Sequence, residues 1–348
     1  MHRTENLRVK GFQPLPTPAE LKALIPQSAS STETVSKARE EIVRILTGES
    51  PRLLVVVGPC SIHDPKAALE YAGRLKTLAD AVADRLLLVM RVYFEKPRTS
   101  VGWKGMINDP HLDGSCDMNE GLRRARSLLA EISLLGLPAA GEMLDPITPH
   151  YLADLISWGA VGARTTESQV HRELSSGVSF PVGFKNGTNG SLAIAVNAMR
   201  SAQQGHHFLG INEDGFSCVV HTDGNPHVHV VLRGGDDGPN YDPVRIARAE
   251  TALKGAGLAT KMMVDCSHAN CGGDTRRQEI VAAEVLRQIA AGNRSLIGLM
   301  IESHLHEGKQ PLTGNPAELA YGVSITDSCI DWETTERVIR SAYEVLPA

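Results

Sequence analysis

Residues 89–100 read VMRVYFEKPRTS, and this stretch joins a strand-like first half to a cationic second half. Its apolar and β-branched residues are typical of a buried strand. Three cations and two hydroxyls stand in the same stretch: Arg91, Lys96, Arg98, Thr99 and Ser100. Because such groups donate charge-assisted hydrogen bonds to phosphate or carboxylate, the stretch predicts an anion site at the end of a strand. The alternative is a strand that ends in a solvated charged loop.

The same alternation of apolar strand and helical segment recurs from residue 53 onward. Strands are predicted at 53–57, 86–94, 137–140, 161–163, 182–184, 207–209, 262–264 and 296–301. In the sixth unit, strand-like pieces at 217–221 and 228–232, joined by a turn at 222–225, predict an inserted β-hairpin. Eight strand–helix units with right-handed crossovers predict an α/β protein with a (β/α)8 TIM barrel, which takes about 250 residues. A doubly wound sheet is the alternative, but the GxGxxG turn it favours after its first strand is missing.

Residues 1–50 are predicted to form a helical N-terminal arm, and residues 51–348 the barrel with a hairpin insertion near 211–232. A capping box at Thr17–Glu20 opens a short helix, a polar linker covers 28–34, and a second helix runs from Val35 to Gly48. Since the arm contains no strand, we expect it to pack on the barrel or on a neighbouring subunit.

Composition excludes several classes of function. The 348 residues are 42% hydrophobic and 22% charged, with a net charge of −5, as in an ordinary globular protein with a large core. Without a basic tract, nucleic acid is not an expected partner. No apolar run reaches the about 18 residues that span a membrane, and residues 1–13 lack the apolar core of a secretory signal. Six scattered cysteines without a CxxC predict a reducing, cytoplasmic location.

Nearly every predicted strand runs into a functional side chain at its C-terminal end. These residues are Cys60, Arg91, Lys96, Glu142, Arg164, Lys185, Arg233, Asp265, His268 and Glu302. In a barrel the strand ends converge on one face, where barrel enzymes carry out their chemistry.

The five lysines and arginines of this set, together with Arg98 from the stretch at 89–100, form a group of six cations. They are Arg91, Lys96, Arg98, Arg164, Lys185 and Arg233. Six converging cations repel one another strongly unless anions are bound, so we expect at least one phosphorylated ligand and anticipate two. Pairing of each cation with a surface carboxylate would explain any one of them, but explains all six poorly.

A thiol, an imidazole and two carboxylates form a second group: Cys60, His268, Glu302 and Asp327. Mixed sulfur, nitrogen and oxygen ligands suit a borderline divalent metal such as Mn, Fe, Co or Zn. Spacing alone does not separate this set from its rivals, because the ligands come from distant strands. The rivals pair Cys60 with His63, Cys266 with His268 and Cys271, or Glu302 with His304 and His306.

Long stretches of the chain match a known pattern. They are GPCSIHD at 58–64, RVYFEKPRTSVGWKG at 91–105, GARTTESQVHR at 162–172, PVGFKNGT at 181–188, LRGG at 232–235, VDCSHAN at 264–270, ESH at 302–304 and SITD at 324–327. On these residues the chain resembles the class I, alpha-type and feedback-regulated 3-deoxy-D-arabino-heptulosonate-7-phosphate (DAHP) synthases. The resemblance spans nearly the whole chain.

The resemblance implies a transferase that condenses phosphoenolpyruvate with erythrose 4-phosphate and water, the first step of the shikimate pathway to aromatic amino acids. It implies metal ligands at Cys60, His268, Glu302 and Asp327. It implies that phosphoenolpyruvate binds Arg91, Lys96, Arg164, Lys185 and Arg233, and that the aldose phosphate binds Arg98 and Thr99. Lys96 would protonate the nascent alkoxide, and Glu142 would orient the attacking water. Strand alternation places Arg91 and Lys96 on opposite faces, so the chain must bend between them.

The resemblance also implies an effector site for an aromatic amino acid, built from the arm and the hairpin, in a homodimer or homotetramer. Phe208 is expected to pack on the effector ring. Gly210 is expected to leave room for a para-hydroxyl, which favours tyrosine over phenylalanine. The alternative is that Gly210 is a turn residue entering the hairpin.

Three other functions remain open from the sequence. A sibling synthase would use phosphoenolpyruvate with the longer arabinose 5-phosphate, although the Lys-Pro-Arg-Thr loop at 96–99 favours the shorter aldose. A metal-dependent phosphosugar aldolase or isomerase would not use phosphoenolpyruvate. A non-catalytic amino-acid sensor would not need to retain every ligand and cation.

Overall fold

Eight parallel strands close into a barrel in the computed structural model, which describes residues 4–346. The ten strands in chain order are β1 Leu53–Gly58, β2 Leu86–Arg91, β3 Ala139–Glu142, β4 Trp158–Val161, β5 Val182–Lys185, β6 His207–Ile211, β7 Ser217–His221, β8 Val228–Leu232, β9 Met262–Asp265 and β10 Leu296–Glu302. Around the barrel their order is β1, β10, β9, β8, β5, β4, β3 and β2. This closed parallel sheet confirms the predicted (β/α)8 TIM barrel.

Ten α-helices accompany the strands in the described part of the chain. They are α1 Pro18–Leu24, α2 Ala29–Thr47, α3 Pro65–Ala81, α4 Met118–Leu134, α5 Thr148–Leu152, α6 Gln169–Gly177, α7 Leu192–Ala202, α8 Pro243–Gly255, α9 Gln278–Ala290 and α10 Trp332–Val345. The predicted capping box is present, since Thr17 Oγ1 accepts from the Glu20 amide while the Glu20 carboxylate accepts from the Thr17 amide. None of the described helices combines the length and the apolar character that crossing a membrane requires.

Helix α2 begins earlier than the sequence predicts. Ser28 is its N-cap and accepts a hydrogen bond from the Ser31 amide, so the supposed linker at 28–34 is the first part of the helix. The polar first turns carry no apolar periodicity, which is why the prediction missed them.

Two barrel strands also differ from their predicted bounds. Strand β2 ends at Arg91 rather than at residue 94, and the chain then leaves strand geometry. That departure supplies the bend required between Arg91 and Lys96. Strand β4 starts at the buried Trp158, three residues before its predicted position.

The inserted hairpin pairs different strands from those predicted. Strands β6 and β7 form it as an antiparallel pair, with Gly210 opposite Cys218. Strand β8 lies instead in the barrel between β5 and β9. The physical distinction is burial: β8 is buried throughout, as a parallel strand requires, whereas β6 and β7 remain partly or fully exposed.

Apolar side chains of α2 fill the interior of the barrel at the end where the strands begin. Ile42 and Ile45 belong to one buried cluster with Leu54 of β1, Trp158 of β4 and Ile297 of β10. A second cluster fills the space between the strands and the surrounding helices. The arm therefore packs on the barrel, and the opposite barrel end is left for a site.

Candidate active site

A cavity of about 650 Å³ lies at the C-terminal ends of the barrel strands. Most of the predicted site residues line it: Arg91, Lys96, Arg98, Thr99, Glu142, Arg164, Lys185, Arg233, His268, Glu302 and Asp327. The barrel topology thus brings together side chains that are far apart in the sequence.

Cys60 lies fully buried beside this cavity, next to two carboxylates. Strands β1 and β10 are neighbours, with Gly58 opposite Glu302, so the residues that follow them meet. Ligand atoms of Cys60, Glu302 and Asp327 all lie within 4.8 Å of one another. Among the residues that the structure describes, this is the one group of three such ligands that converges.

His268 lines the cavity but stands outside that close group. Its Nδ1 lies 2.9 Å from Asp265 Oδ2 and 2.6 Å from Ser267 Oγ, which leaves Nε2 as the free ring nitrogen. Its φ of 55° is uncommon for a residue other than glycine. Asp265 therefore orients the imidazole in the way a carboxylate commonly orients a metal-binding histidine.

The protonation chemistry of Cys60 fits a metal ion. Burial and the nearby Glu302 raise the pKa of its thiol to about 12. Lys96 Nζ, 3.0 Å from the sulfur and 3.3 Å from Asp327 Oδ2, opposes that rise only in part. A thiolate at neutral pH needs further positive charge, which a divalent ion between these ligands would supply.

The Asp327 carboxyl behaves in the opposite way. Although burial acts to raise its pKa, Lys96 and His268 together lower it well below the usual range. Asp327 is therefore ionised at neutral pH and available as an oxygen ligand.

Arg91 is a buried cation with spare hydrogen-bonding capacity. Its Nη2 donates to Glu302 Oε1 at 3.1 Å, and its guanidinium lies 4.0 Å from the centre of the Tyr93 ring. Arg91 Nη1 and the Tyr93 hydroxyl are both buried, and neither has a hydrogen-bond partner among residues 4–346. Because buried polar groups are normally satisfied, two such groups lining one cavity indicate that a polar ligand completes them.

A second buried ion pair stands on the neighbouring strands. Lys185 Nζ donates to Asp265 Oδ2 at 2.9 Å, and Asp265 is fully buried. Burial acts to raise the pKa of Asp265, but His268 and Lys185 lower it well below its usual value. The carboxylate is therefore charged and holds the amine and the imidazole in fixed positions.

Three of the six predicted cavity cations have no carboxylate within 4.0 Å in the described part of the chain: Arg98, Arg164 and Arg233. Burial lowers the pKa of the Arg233 guanidinium, and the nearby Arg164 acts in the same direction. Unneutralised cations this close together are stabilised by bound anions.

Glu142 lines the same cavity at the end of β3. A Cβ at Gly162 would clash with Glu142 Oε1, so the absence of a side chain at Gly162 allows the Glu142 carboxylate to occupy its position. A water-orienting role for Glu142 stays a prediction.

In the described part of the chain neither rival trio, Cys266 with His268 and Cys271 or Glu302 with His304 and His306, forms a group of converging ligand atoms, and His63 does not join the group at Cys60. His63 and His304 pack edge to face with ring centres 6.3 Å apart, and burial lowers the pKa of His304 to about 4.

The two residues predicted to contact an effector, Phe208 and Gly210, lie on the hairpin and do not line the cavity. Gly210 is inside strand β6, so it is not the turn residue of the alternative interpretation.

Sequence reasoning missed several residues that line the cavity: Tyr93, Ser267, Lys309 and Ser328. Ser267 and Ser328 each adjoin a predicted ligand, which was a usable signal. Lys309 does not directly follow a strand, so nothing in the sequence indicated that it would line the cavity.

The barrel and its cavity define a class of (β/α)8 enzyme whose site is lined by cations suited to anionic ligands, beside three side chains that could hold a metal ion. The sequence profile described as the DAHP synthetase I family matches residues 25–340. The chain therefore belongs to the DAHP synthetase I family, as the resemblance predicts.

Named relatives agree over almost the full length of the chain. It is 57% identical to the Tyr-sensitive phospho-2-dehydro-3-deoxyheptonate aldolase of Salmonella typhimurium, over 98% of this chain and 96% of that protein. It is 53% identical to the Phe-sensitive enzyme of Escherichia coli, over 100% and 99% respectively. The solved structure of the phospho-2-dehydro-3-deoxyheptonate aldolase from Francisella tularensis superposes with a TM-score of 0.95 at 48% identity, covering 97% of this chain and 98% of that one.

Proposed function

We propose that this protein is a DAHP synthase, which condenses phosphoenolpyruvate, erythrose 4-phosphate and water to DAHP and phosphate. The observation that supports it most strongly is the convergence of six cations with the Cys60, Glu302 and Asp327 group in one cavity of a family member. Through this reaction the enzyme opens the shikimate pathway to the aromatic amino acids.

Cys60, His268, Glu302 and Asp327 would hold one divalent ion, for which Mn, Fe, Co and Zn are the candidates. When bound, the ion would supply Lewis-acid polarisation of the aldehyde oxygen of erythrose 4-phosphate. Lys96, within hydrogen-bond distance of Cys60 and Asp327, would lie beside that oxygen and donate its proton to the alkoxide that forms.

The other side chains bind and orient the two substrates. C3 of phosphoenolpyruvate attacks the aldehyde carbon, and water oriented by Glu142 adds at C2 before phosphate leaves. The phosphoenolpyruvate site comprises Arg91, Lys96, Arg164, Lys185 and Arg233. These cations offset the repulsion between two anionic substrates and align them for attack.

Product analysis tests the function directly. The intact protein is incubated with phosphoenolpyruvate and either erythrose 4-phosphate or arabinose 5-phosphate, before and after chelation. We expect DAHP and phosphate from the shorter aldose alone, with loss of product on chelation. An eight-carbon product would indicate the sibling synthase, and turnover of an aldose phosphate without phosphoenolpyruvate would indicate an aldolase or isomerase.

The resemblance assigns Arg98 and Thr99 to the aldose phosphate; both are exposed, whereas three of the cations assigned to phosphoenolpyruvate, Arg91, Lys96 and Lys185, are buried. We expect Arg98→Ala to raise the KM for erythrose 4-phosphate about tenfold or more, since it removes a charge-assisted contact. The KM for phosphoenolpyruvate should stay near its original value. A variant that weakens only phosphoenolpyruvate binding would show that the two phosphate sites have been interchanged.

The arm at residues 1–50 and the hairpin are proposed to form a regulatory and oligomerisation unit for an aromatic amino acid, in a homodimer or homotetramer. The two additions contact each other: Lys22 Nζ lies 3.1 Å from Glu213 Oε1, and the Ala19 amide donates to the Glu213 carbonyl. Their separation from the catalytic cavity fits an effector site away from the metal.

A route for communication between this unit and the substrates is also present. The Tyr151 hydroxyl donates to the Pro16 carbonyl, which ties α5 to the arm. On the same helix Thr148 Oγ1 donates to Glu95 Oε2, next to Lys96 in the chain. A shift of the arm would therefore reach the loop that carries Lys96 and Arg98.

Phe208 and Gly210 are proposed to contact the effector, with tyrosine favoured. An added Cβ at Gly210 would lie 2.7 Å from Val220 Cγ2 and within 4.0 Å of the Phe208 ring, so a side chain there would crowd this face. We expect tyrosine to inhibit the initial rate, and Gly210→Ser to weaken that inhibition several-fold with kcat unchanged.

Initial rates with each aromatic amino acid check this prediction, on the intact chain and on one lacking its first thirty residues. Inhibition by phenylalanine but not tyrosine would retain the site and discard the role given to Gly210. Insensitivity of both chains to all three amino acids would remove the regulatory proposal.

The cytoplasm is the proposed location. All six cysteines are free thiols in the structure, which suits a reducing compartment.

A further inference from the structure

A seventh cation, Lys309, lines the catalytic cavity together with Arg98 and Arg164. It is exposed, and in the described part of the chain no carboxylate oxygen lies within ion-pairing distance of its ammonium. Most lysines on a protein surface are simply solvated. A lysine directed into a cavity already rich in unpaired cations is a different case, because it adds repulsion unless an anion is bound there.

The backbone at Lys309 is held against the segment that carries Asp327. The Gly308 amide donates to the Cys329 carbonyl at 2.8 Å, and the Cys329 amide returns a bond to the Gly308 carbonyl at 3.1 Å. On the other side, the Gln310 amide donates to the Ser324 carbonyl at 2.8 Å. Lys309 and the Asp327 loop therefore form one unit, and the ammonium is presented from a fixed point on the cavity wall.

We propose that Lys309 binds the phosphate of the aldose substrate, as a second cationic contact beside Arg98. This inference rests on the proposed function. The assignment to the aldose follows from the company of Lys309: it lines the cavity with Arg98 and Thr99 and is exposed as they are, whereas Arg91, Lys96 and Lys185 are buried and Arg164 is the exposed exception among the phosphoenolpyruvate residues. A lysine ammonium is a compact charge on a flexible stem, so it can meet a phosphate that enters from solvent without a fixed bidentate geometry.

The test compares Lys309→Met with the intact protein. Methionine keeps the length of the stem and removes the charge, so a purely structural role would leave substrate binding unchanged. We expect the KM for erythrose 4-phosphate to rise about tenfold, with kcat within twofold and the KM for phosphoenolpyruvate unchanged. Lys309→Arg should restore most of the loss. Lys254→Met, at an exposed lysine of α8 that does not line the cavity, is the matched control.

Titration calorimetry with erythrose 4-phosphate separates this inference from the proposed function. If the intact protein yields no DAHP, the function fails. Weaker binding of the aldose phosphate to Lys309→Met than to Lys254→Met still supports the lysine contact in that case. Equal affinities of these two variants, or a loss confined to phosphoenolpyruvate, would overturn the role of Lys309.

Discussion

Replacing Cys60 with alanine is expected to abolish turnover, lowering the rate by at least about a thousandfold, and to remove bound metal from the purified protein. The thiol is fully buried and lies 3.4 Å from Asp327 Oδ2, so no solvent ligand replaces it easily. Its loss also takes away the sulfur that Lys96 contacts. Metal content measured by mass spectrometry should fall in step with activity.

Cys116→Ala is the control for the loss of a thiol, because Cys116 is exposed, is not one of the converging ligands and does not line the cavity. It should retain both metal and activity. In the intact protein chelation should stop turnover, and Mn, Co or Fe should restore it. Full activity of a metal-free Cys60→Ala protein would refute the metal assignment.

The second large effect is expected at two cations assigned to phosphoenolpyruvate. Lys185→Ala and Arg164→Ala should each lower kcat/KM for phosphoenolpyruvate by roughly a hundredfold to a thousandfold, since truncating a cation that binds a buried anion costs about 2–5 kcal/mol. Unchanged values in both variants would show that phosphoenolpyruvate binds elsewhere.

Stability should distinguish the two variants. Lys185 is buried against Asp265, and its removal leaves a buried carboxylate without one of its partners, at a cost of about 3–5 kcal/mol in the free energy of unfolding. Arg164 is exposed and has no carboxylate partner among the described residues, so its removal should leave stability nearly unchanged. Denaturant unfolding of both proteins checks this, with Arg164→Ala as the reference for a loss of function without a loss of stability.

Burial and strand order could be predicted from the sequence wherever a strand is uniformly apolar. The apolar runs around Val55 in β1 and Leu299 in β10 are typical of buried parallel strands, and both were predicted as such. The hairpin was harder, because β7 and β8 are both short and rich in valine, and a turn-like Thr222–Asn225 stands between them. The choice between a hairpin strand and a barrel strand for β8 depends on closure of the barrel, in which β8 pairs with β5 and β9.

The candidate site also contains residues that could be predicted from the sequence and residues that could not. Residues such as Arg91 and Glu302 could be found because they follow apolar strands directly. The choice of Cys60 over its rivals could not be made from spacing, since it depends on β1 and β10 being neighbours after the barrel closes. Lys309 carried no signal at all, because a loop held by a few backbone bonds has no periodic pattern.

The packing of α2 side chains against the barrel interior has a consequence for how the chain folds. Ile42 and Ile45 emerge early during synthesis, yet the Ile297 side chain that shares their cluster follows roughly 250 residues later, a separation that slows folding. Until the last strand closes the barrel, the apolar face of α2 has only part of its burial and is open to association with other chains. We therefore expect α2 to complete its burial only when the barrel closes, and the incomplete chain to be more prone to aggregation than the folded protein.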